Sequence, residues 1–235
     1  MIKYIEIMVG QGWANALLFA ALTTILVSLF AFILGTALGS LLAWGRIGGS
    51  RPVQYLTDLY ITVLRGIPEL LVIYVFYFGG SAFLSMIGEA FGNTGFIGMP
   101  ALAVGAIAIG LVSAAYQAEV FRGAFSVMRK GELEAAYAIG MRNSLVFRRI
   151  IVPQVMRIAL PGLGNCWQIA VKESALVSVT GLVELLRQAM VGAGSTQQPF
   201  YFYFTAAALY LAITVVSMWG FDRAEKSASR SMRRA

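Results

Sequence analysis

The chain has no histidine and a single cysteine, Cys166. No disulfide can form within it, and a zinc site built on His and Cys is excluded. Cys166 reads as a small, buried packing residue. Without histidine the usual general base is missing, and no nucleophile–base pair or metal constellation replaces it, so an enzyme is the least favoured class. No G-x-x-x-x-G-K-[ST] phosphate loop occurs, so the chain is not expected to hydrolyse ATP itself. Charge is scarce as well. Only 12% of the 235 residues are charged and 59% are hydrophobic, whereas an average soluble domain is about 25% charged.

The charge that is present has a sign and a place. Lysine and arginine number 18 against 11 acidic residues, a net charge of +7. Such an excess can mark a nucleic-acid binder. Here the arginines fall in short segments between apolar runs, which is the pattern of membrane topology, and no nucleic-acid partner is expected. The N-terminus does not read as a cleavable signal, because Lys3 is balanced by Glu6 and no further charge follows until Arg46.

A membrane span needs about 20 mainly apolar residues. Five segments qualify: within 13–44, about 59–87, about 100–118, a less regular one at about 154–171 that holds Arg157 and Pro161, and about 200–219. With neither internal repeat nor low-complexity linker, residues 1–235 read as one all-α transmembrane domain. Arg46 and Arg51 follow the first span, and Arg122, Arg129, Lys130, Arg142, Arg148 and Arg149 follow the third. Arg223, Lys226, Arg230, Arg233 and Arg234 follow the fifth, while 88–99 and 188–199 carry no basic residue. Five spans with the N-terminus outside and the C-terminus in the cytoplasm put every basic cluster on one side. Phe200 to Phe204 then suit an outer interfacial belt. Gly35 and Gly39 in the first span, and Gly105 and Gly110 in the third, fit ordinary close packing between membrane helices.

Residues 126–153 hold too many charges to span. Glu132 to Ile139 predicts a short helix with Ala136 and Gly140 on one face. Gly140 supplies a positive-φ stop, and Asn143 or Ser144 can cap a second helix whose apolar stripe is Phe147, Ile150 and Ile151. Pro153 begins the next element. Two short helices joined at a glycine at the cytoplasmic surface can enter a partner's groove and pass its movement to a span. The plainer alternative is an amphipathic helix resting on lipid headgroups.

Within this segment Glu134-Ala135-Ala136, then Gly140, then Ile150-Ile151-Val152-Pro153 resembles the coupling loop of bacterial ABC importer permeases. Four further runs point the same way, in order. They are Arg65-Gly66-Ile67-Pro68-Glu69-Leu70, Phe121-Arg122-Gly123-Ala124-Phe125 with Glu119 before it, Leu160-Pro161-Gly162 with Gly164-Asn165, and Lys172-Glu173-Ser174-Ala175-Leu176. Together they resemble permeases of the polar amino acid uptake family, in its histidine–arginine–opine branch, over about residues 12 to 222. Glu132 stands where that family often has glutamine. The resemblance implies a five-to-six-span permease in the bacterial inner membrane, working with a second permease subunit, an ATPase dimer that holds ATP and magnesium, and an extracytoplasmic solute-binding protein. It assigns Glu134, Ala135, Ala136, Gly140 and Pro153 to the ATPase-coupling segment, with Glu134 and Gly140 in the ATPase cleft.

Ionisable and polar groups inside spans are candidates for the solute pathway. Arg65 and Glu69, four apart around Pro68, read either as an intrahelical ion pair beside a proline kink or as pathway residues. Glu119 is expected at the cytoplasmic end of the third span. Pro161, Gly162 and Gly164 are expected to loosen the fourth, and unwound backbone at that depth is tolerated where it lines a cavity. Asn165, Gln168 and Glu173 are therefore pathway candidates, and Glu184 joins them as a possible gate by family analogy. Carboxylates in an enclosed cavity suit a cationic solute, which favours a basic amino acid or an opine. A secondary transporter or channel not driven by ATP is the rival, but inverted repeats are not visible. A membrane scaffold without transport is the other.

Overall fold

A computed structural model of the chain describes residues 2–93, 95 and 97–230, all of whose regular structure is helical. Arg233 and Arg234 lie outside the described residues. A short helix, α1 (Ile2–Ile5), widens at Glu6–Gly10 and turns at Gly12, with φ 77°, into α2 (Trp13–Gly48). No proline and no charge before Arg46 interrupts α2. Its 36 residues extend about 54 Å at 1.5 Å per residue, well beyond a hydrocarbon core of about 30 Å. The helix α3 (Arg51–Gly66) is amphipathic and has Pro52 in its first turn, where the missing N–H costs nothing.

The second span begins later than its hydropathy suggests. Ile67 is extended (φ −97°, ψ 136°) because the ring of Pro68 disfavours helical backbone in the preceding residue. Pro68 caps a new helix, α4 (Glu69–Ala90). The boundary near Leu59 is thus corrected to Glu69. Arg65 and Glu69 fall on different helices, and no ion pair joins them among the described residues.

From α5 (Ala101–Ser126) the chain passes to α6 (Lys130–Ala138), then to α7 (Asn143–Val146), a π-type turn at Phe147–Ile151 and α8 (Val152–Glu173). Residues 143–173 form one unbroken helical path. A 3₁₀ stretch, Ser174–Thr180, ends at Gly181 (φ 87°), followed by α9 (Leu185–Thr196) and α10 (Pro199–Arg230). The expected loosening at Pro161, Gly162 and Gly164 is absent. The glycines there are contact points: a β-carbon on Gly162 would lie 2.7 Å from Val120, and Gly164 packs on Phe221. The departure from α geometry comes instead at Ser174–Thr180.

Among the described residues, four helices are long and apolar enough to cross a membrane: α2, α4, α5 and α10. The helix α8 has 22 residues, about 33 Å and long enough to span, but it carries Arg157, Asn165, Gln168 and Lys172. The most enclosed of the four is α5, the hub of the bundle. Its contact with α2 is set by small residues. A β-carbon on Gly35 would sit 2.6 Å from the Gln117 amide nitrogen, and one on Gly39 2.9 Å from the Ala114 carbonyl oxygen. Lipid is as apolar as leucine, so this close backbone approach and the polar bonds inside it hold the pair together. Gln117 is fully buried and fully used: it donates to Ser113 Oγ (3.0 Å) and the Phe32 carbonyl (3.2 Å), and accepts from Thr36 Oγ1 (2.7 Å).

Gly39→Leu is expected to destabilise the purified protein by about 1–3 kcal/mol through overpacking against Ala114. Gly123→Ala, inside the same helix as Ala114 at a point where nothing lies within 4 Å, is expected to leave stability unchanged or raise it by up to about 1 kcal/mol, because alanine is the better helix former. Thermal melting in detergent compares the two.

Candidate functional site

The coupling segment is built by a helix stop. Gly140 has φ 79°, a conformation costly for any residue with a β-carbon. Its N–H bonds the Tyr137 carbonyl at 2.9 Å, and the Met141 N–H reaches back to the Ala136 carbonyl at 3.1 Å. This paired closure is the Schellman arrangement. Ala136 is buried, while Glu134, Ala135 and Gly140 are exposed, and no atom would lie within 4 Å of a β-carbon at Gly140. Glu134 has no ion pair among the described residues. The residue before the second helix is Arg142 (ψ 149°), without a side-chain cap, so Asn143 and Ser144 lie inside the helix they were expected to cap. Pro153 stands in the first turn of α8, directly after the π-type turn. A proline cannot bond the carbonyl four residues back, and the wider turn accommodates that loss. Gln154 donates to Glu132 at 2.5 Å, which ties the coupling segment to α8.

At the same end of the bundle Arg46 of α2 holds Asp58 of α3 (2.5 Å) and also bonds Glu119 of α5. Glu119 in turn accepts from Arg122 at 2.8 Å. Three helices therefore meet in one charge network.

The expected pathway residues divide into three places. Glu69 and Glu173 lie near Tyr116, and the guanidinium carbon of Arg65 lies 5.3 Å from the centroid of that ring. Glu173 is buried, and one of its carboxylate oxygens finds no hydrogen-bond partner among the described residues. Gln168 lies on another face of α8. With Lys172, Tyr210 and Thr214 it lines a cleft of about 520 Å³ against α10, and its amide lies 2.8 Å from the Met218 sulfur. Asn165 shares that face by helical spacing but is exposed.

Glu184 belongs to neither group. It is fully buried at the N-terminus of α9, where its carboxylate accepts from the Leu186 N–H (2.8 Å), the Arg187 N–H (2.7 Å) and the Tyr210 hydroxyl (2.8 Å). The Leu185 N–H is bonded by Thr24 Oγ1 at 3.1 Å. The geometry is that of a helix cap that also fastens α10, while the neighbouring Leu185 N–H fastens α2. The reason is local: Gly181 turns the chain just before it, and a carboxylate is the best acceptor for the free N–H groups of a helix start.

Tyr116, Gln117 and Tyr210 were not singled out by sequence reasoning. The signal was there for the first two, as adjacent polar residues in an otherwise Ala- and Gly-rich span. Tyr210 offered none, since one tyrosine in an aromatic-rich helix is unremarked.

Glu184→Ala is expected to lower stability by about 2–4 kcal/mol, the sum of a lost cap and a stranded tyrosine hydroxyl. Glu184→Gln, which keeps one acceptor oxygen, is expected to recover about half. An alanine variant as stable as the parent in detergent melting would contradict the capping role.

A family model described as binding-protein-dependent transport system inner membrane component matches residues 35–230. The chain is 54% identical over 224 residues to the octopine transport system permease protein OccQ of Rhizobium meliloti, covering 95% of this chain and 94% of that one. It is 37% identical over 227 residues to the arginine ABC transporter permease protein ArtQ of Escherichia coli (strain K12), covering 92% and 95%. Among solved structures, a crystal structure of an amino acid ABC transporter with histidines superposes with TM-score 0.77 at 29% identity, over 92% of this chain and 95% of that one. With its long apolar helices arranged as in that permease, the chain belongs to the family of binding-protein-dependent transport system inner membrane components.

Proposed function

We propose that this permease moves a basic amino acid or an opine across the inner membrane, and that residues 134–153 receive the drive for it from an ATPase. In this reading ATP and magnesium bind on the ATPase pair, a second permease copy or paralogue completes the channel, and an extracytoplasmic binding protein delivers the solute. With α8 counted as the fourth of five spans, the coupling segment in this reading lies on the arginine-rich cytoplasmic side.

The observation that carries the proposal is the continuity of 143–173. At 1.5 Å per residue this path runs about 46 Å, from the turn that follows Gly140 to Glu173. The α6 helix, pinned to it through Glu132 and Gln154, presents the small residues Ala135 and Gly140 and an unpaired Glu134. A groove closing on α6 would draw the whole path with it. The far end of the path is Glu173, a buried carboxylate in the neighbourhood of Glu69 and Tyr116. A displacement at the ATPase would thus arrive at the acidic cluster without crossing a flexible joint, which is what alternating access requires.

Two carboxylates in an enclosed setting favour a solute with a guanidinium or ammonium group. Relatives named for octopine and arginine transport support that class.

Glu134→Arg combined with Gly140→Trp is expected to abolish co-purification with the ATPase while the permease stays folded. An unchanged complex would refute the docking role. Glu173→Gln is expected to cut uptake of cationic amino acids by about tenfold or more, the equivalent of about 1.4 kcal/mol, with ATPase binding retained. Uptake at the parental rate in proteoliposomes would remove Glu173 from the pathway.

A further inference from the structure

The C-terminal third of α2 packs beside α5, the π-type turn and α8 so as to leave an open groove of about 540 Å³. Its walls are Leu41, Trp44, Phe121, Phe125, Phe147 and Met156. The rings of Trp44 and Phe147 stack across one end, 6.1 Å apart, and both are exposed. The hydroxyls on the lining are already used. Thr36 bonds the Phe32 carbonyl and Gln117, and Ser40 bonds the Ala37 carbonyl. Among the described residues the Trp44 indole N–H is the one lining side-chain donor without a protein partner, so a polar ligand has little to hold.

Its length and its rim select the occupant. Along α2 the lining runs from Thr36 to Gly48, about 18 Å, close to the half-thickness of about 15 Å that one lipid leaflet provides. Directly beside Phe147 on the same turn stand Arg148 and Arg149, exposed and without a carboxylate partner among the described residues. Arg46, at the same end of α2, is already held by Asp58 and Glu119. An apolar groove about one leaflet deep, flanked in sequence at Phe147 by two arginines without a carboxylate partner among the described residues, complements an acyl chain that carries a negative headgroup.

We infer that this groove binds an anionic phospholipid, one acyl chain lying between α2 and α8 and the headgroup meeting Arg148 and Arg149. The site lies at the junction of the coupling segment with α8, so the lipid would brace the turn through which movement of α6 enters the bundle.

Trp44 is the reporter. The assembled importer is placed in phosphatidylcholine vesicles containing increasing fractions of brominated phosphatidylglycerol or, in parallel, brominated phosphatidylcholine. Quenching of the Trp44 emission is taken as the difference between the parent and Trp44→Phe. The expected result is half-maximal quenching at an approximately tenfold lower fraction of the anionic lipid, as two arginines near one headgroup should produce. Arg148→Gln with Arg149→Gln is expected to erase the preference, and Ser40→Phe, which fills the slot and leaves the arginines, to reduce quenching by both lipids. Equal quenching by the two lipids in the parent would overturn the proposal. Absence of quenching by either would overturn it too, in favour of a protein surface covering Trp44.

Discussion

The bundle depends on the approach of α2 to α5. In water two apolar helices associate because burial removes them from solvent. In lipid that gain disappears, and what remains is close packing and hydrogen bonding. Gly35 and Gly39 remove the atoms that would hold the helices apart, and the Gln117 amide fills the space with three bonds, two of them to α2. A buried amide whose nitrogen and oxygen both have partners is stable at this depth, whereas one left half unpaired would be costly. All other spans are arranged around this pair. The partially polar α8 can lie at membrane depth because α5 and α10 cover its apolar face, with Leu163 and Cys166 buried and its polar face left to the cleft.

Two polar centres lie at different depths on this frame. One is the set of charges around Arg46, which joins α2, α3 and α5 near the coupling segment. The other is the group of Arg65, Glu69, Tyr116 and Glu173, assembled from the ends of three helices and the middle of α5. The path 143–173 connects the two ends mechanically. The π-type turn keeps the path helical past Pro153, and the next departure from α geometry comes only beyond Glu173, in the 3₁₀ stretch, where the path ends.

Much of this was legible in the residues. Apolar runs located the four long helices, and the EAA-to-glycine spacing predicted the helix stop that Gly140 makes at φ 79°. The misplacements share a cause. Hydropathy averages over a window and cannot register a single extended residue, so Ile67 went unseen and the second span was drawn across Pro68. Pro161 and two nearby glycines have weak intrinsic preference for helix, but tertiary contacts override preference, and Val120 and Phe221 occupy the room those glycines leave. The capping role of Glu184 was not legible because its partners, two backbone N–H groups and a distant tyrosine, become neighbours only on folding. Of the expected pathway residues, Glu69 and Glu173 could be paired only once four separate elements were brought together.

The guanidinium of Arg46 is shared between Asp58 on α3 and Glu119 on α5. A single cation that serves two helices cannot follow both when they part. Glu119 keeps Arg122 whichever way the cation goes, whereas Asp58 has no second cation among the described residues. Asp58 is about half exposed, so water takes the place of the guanidinium as α3 leaves, at small cost. The arrangement is lopsided: α2 and α5 remain tied by a cation with a reserve behind it, and α3 is the member free to swing away.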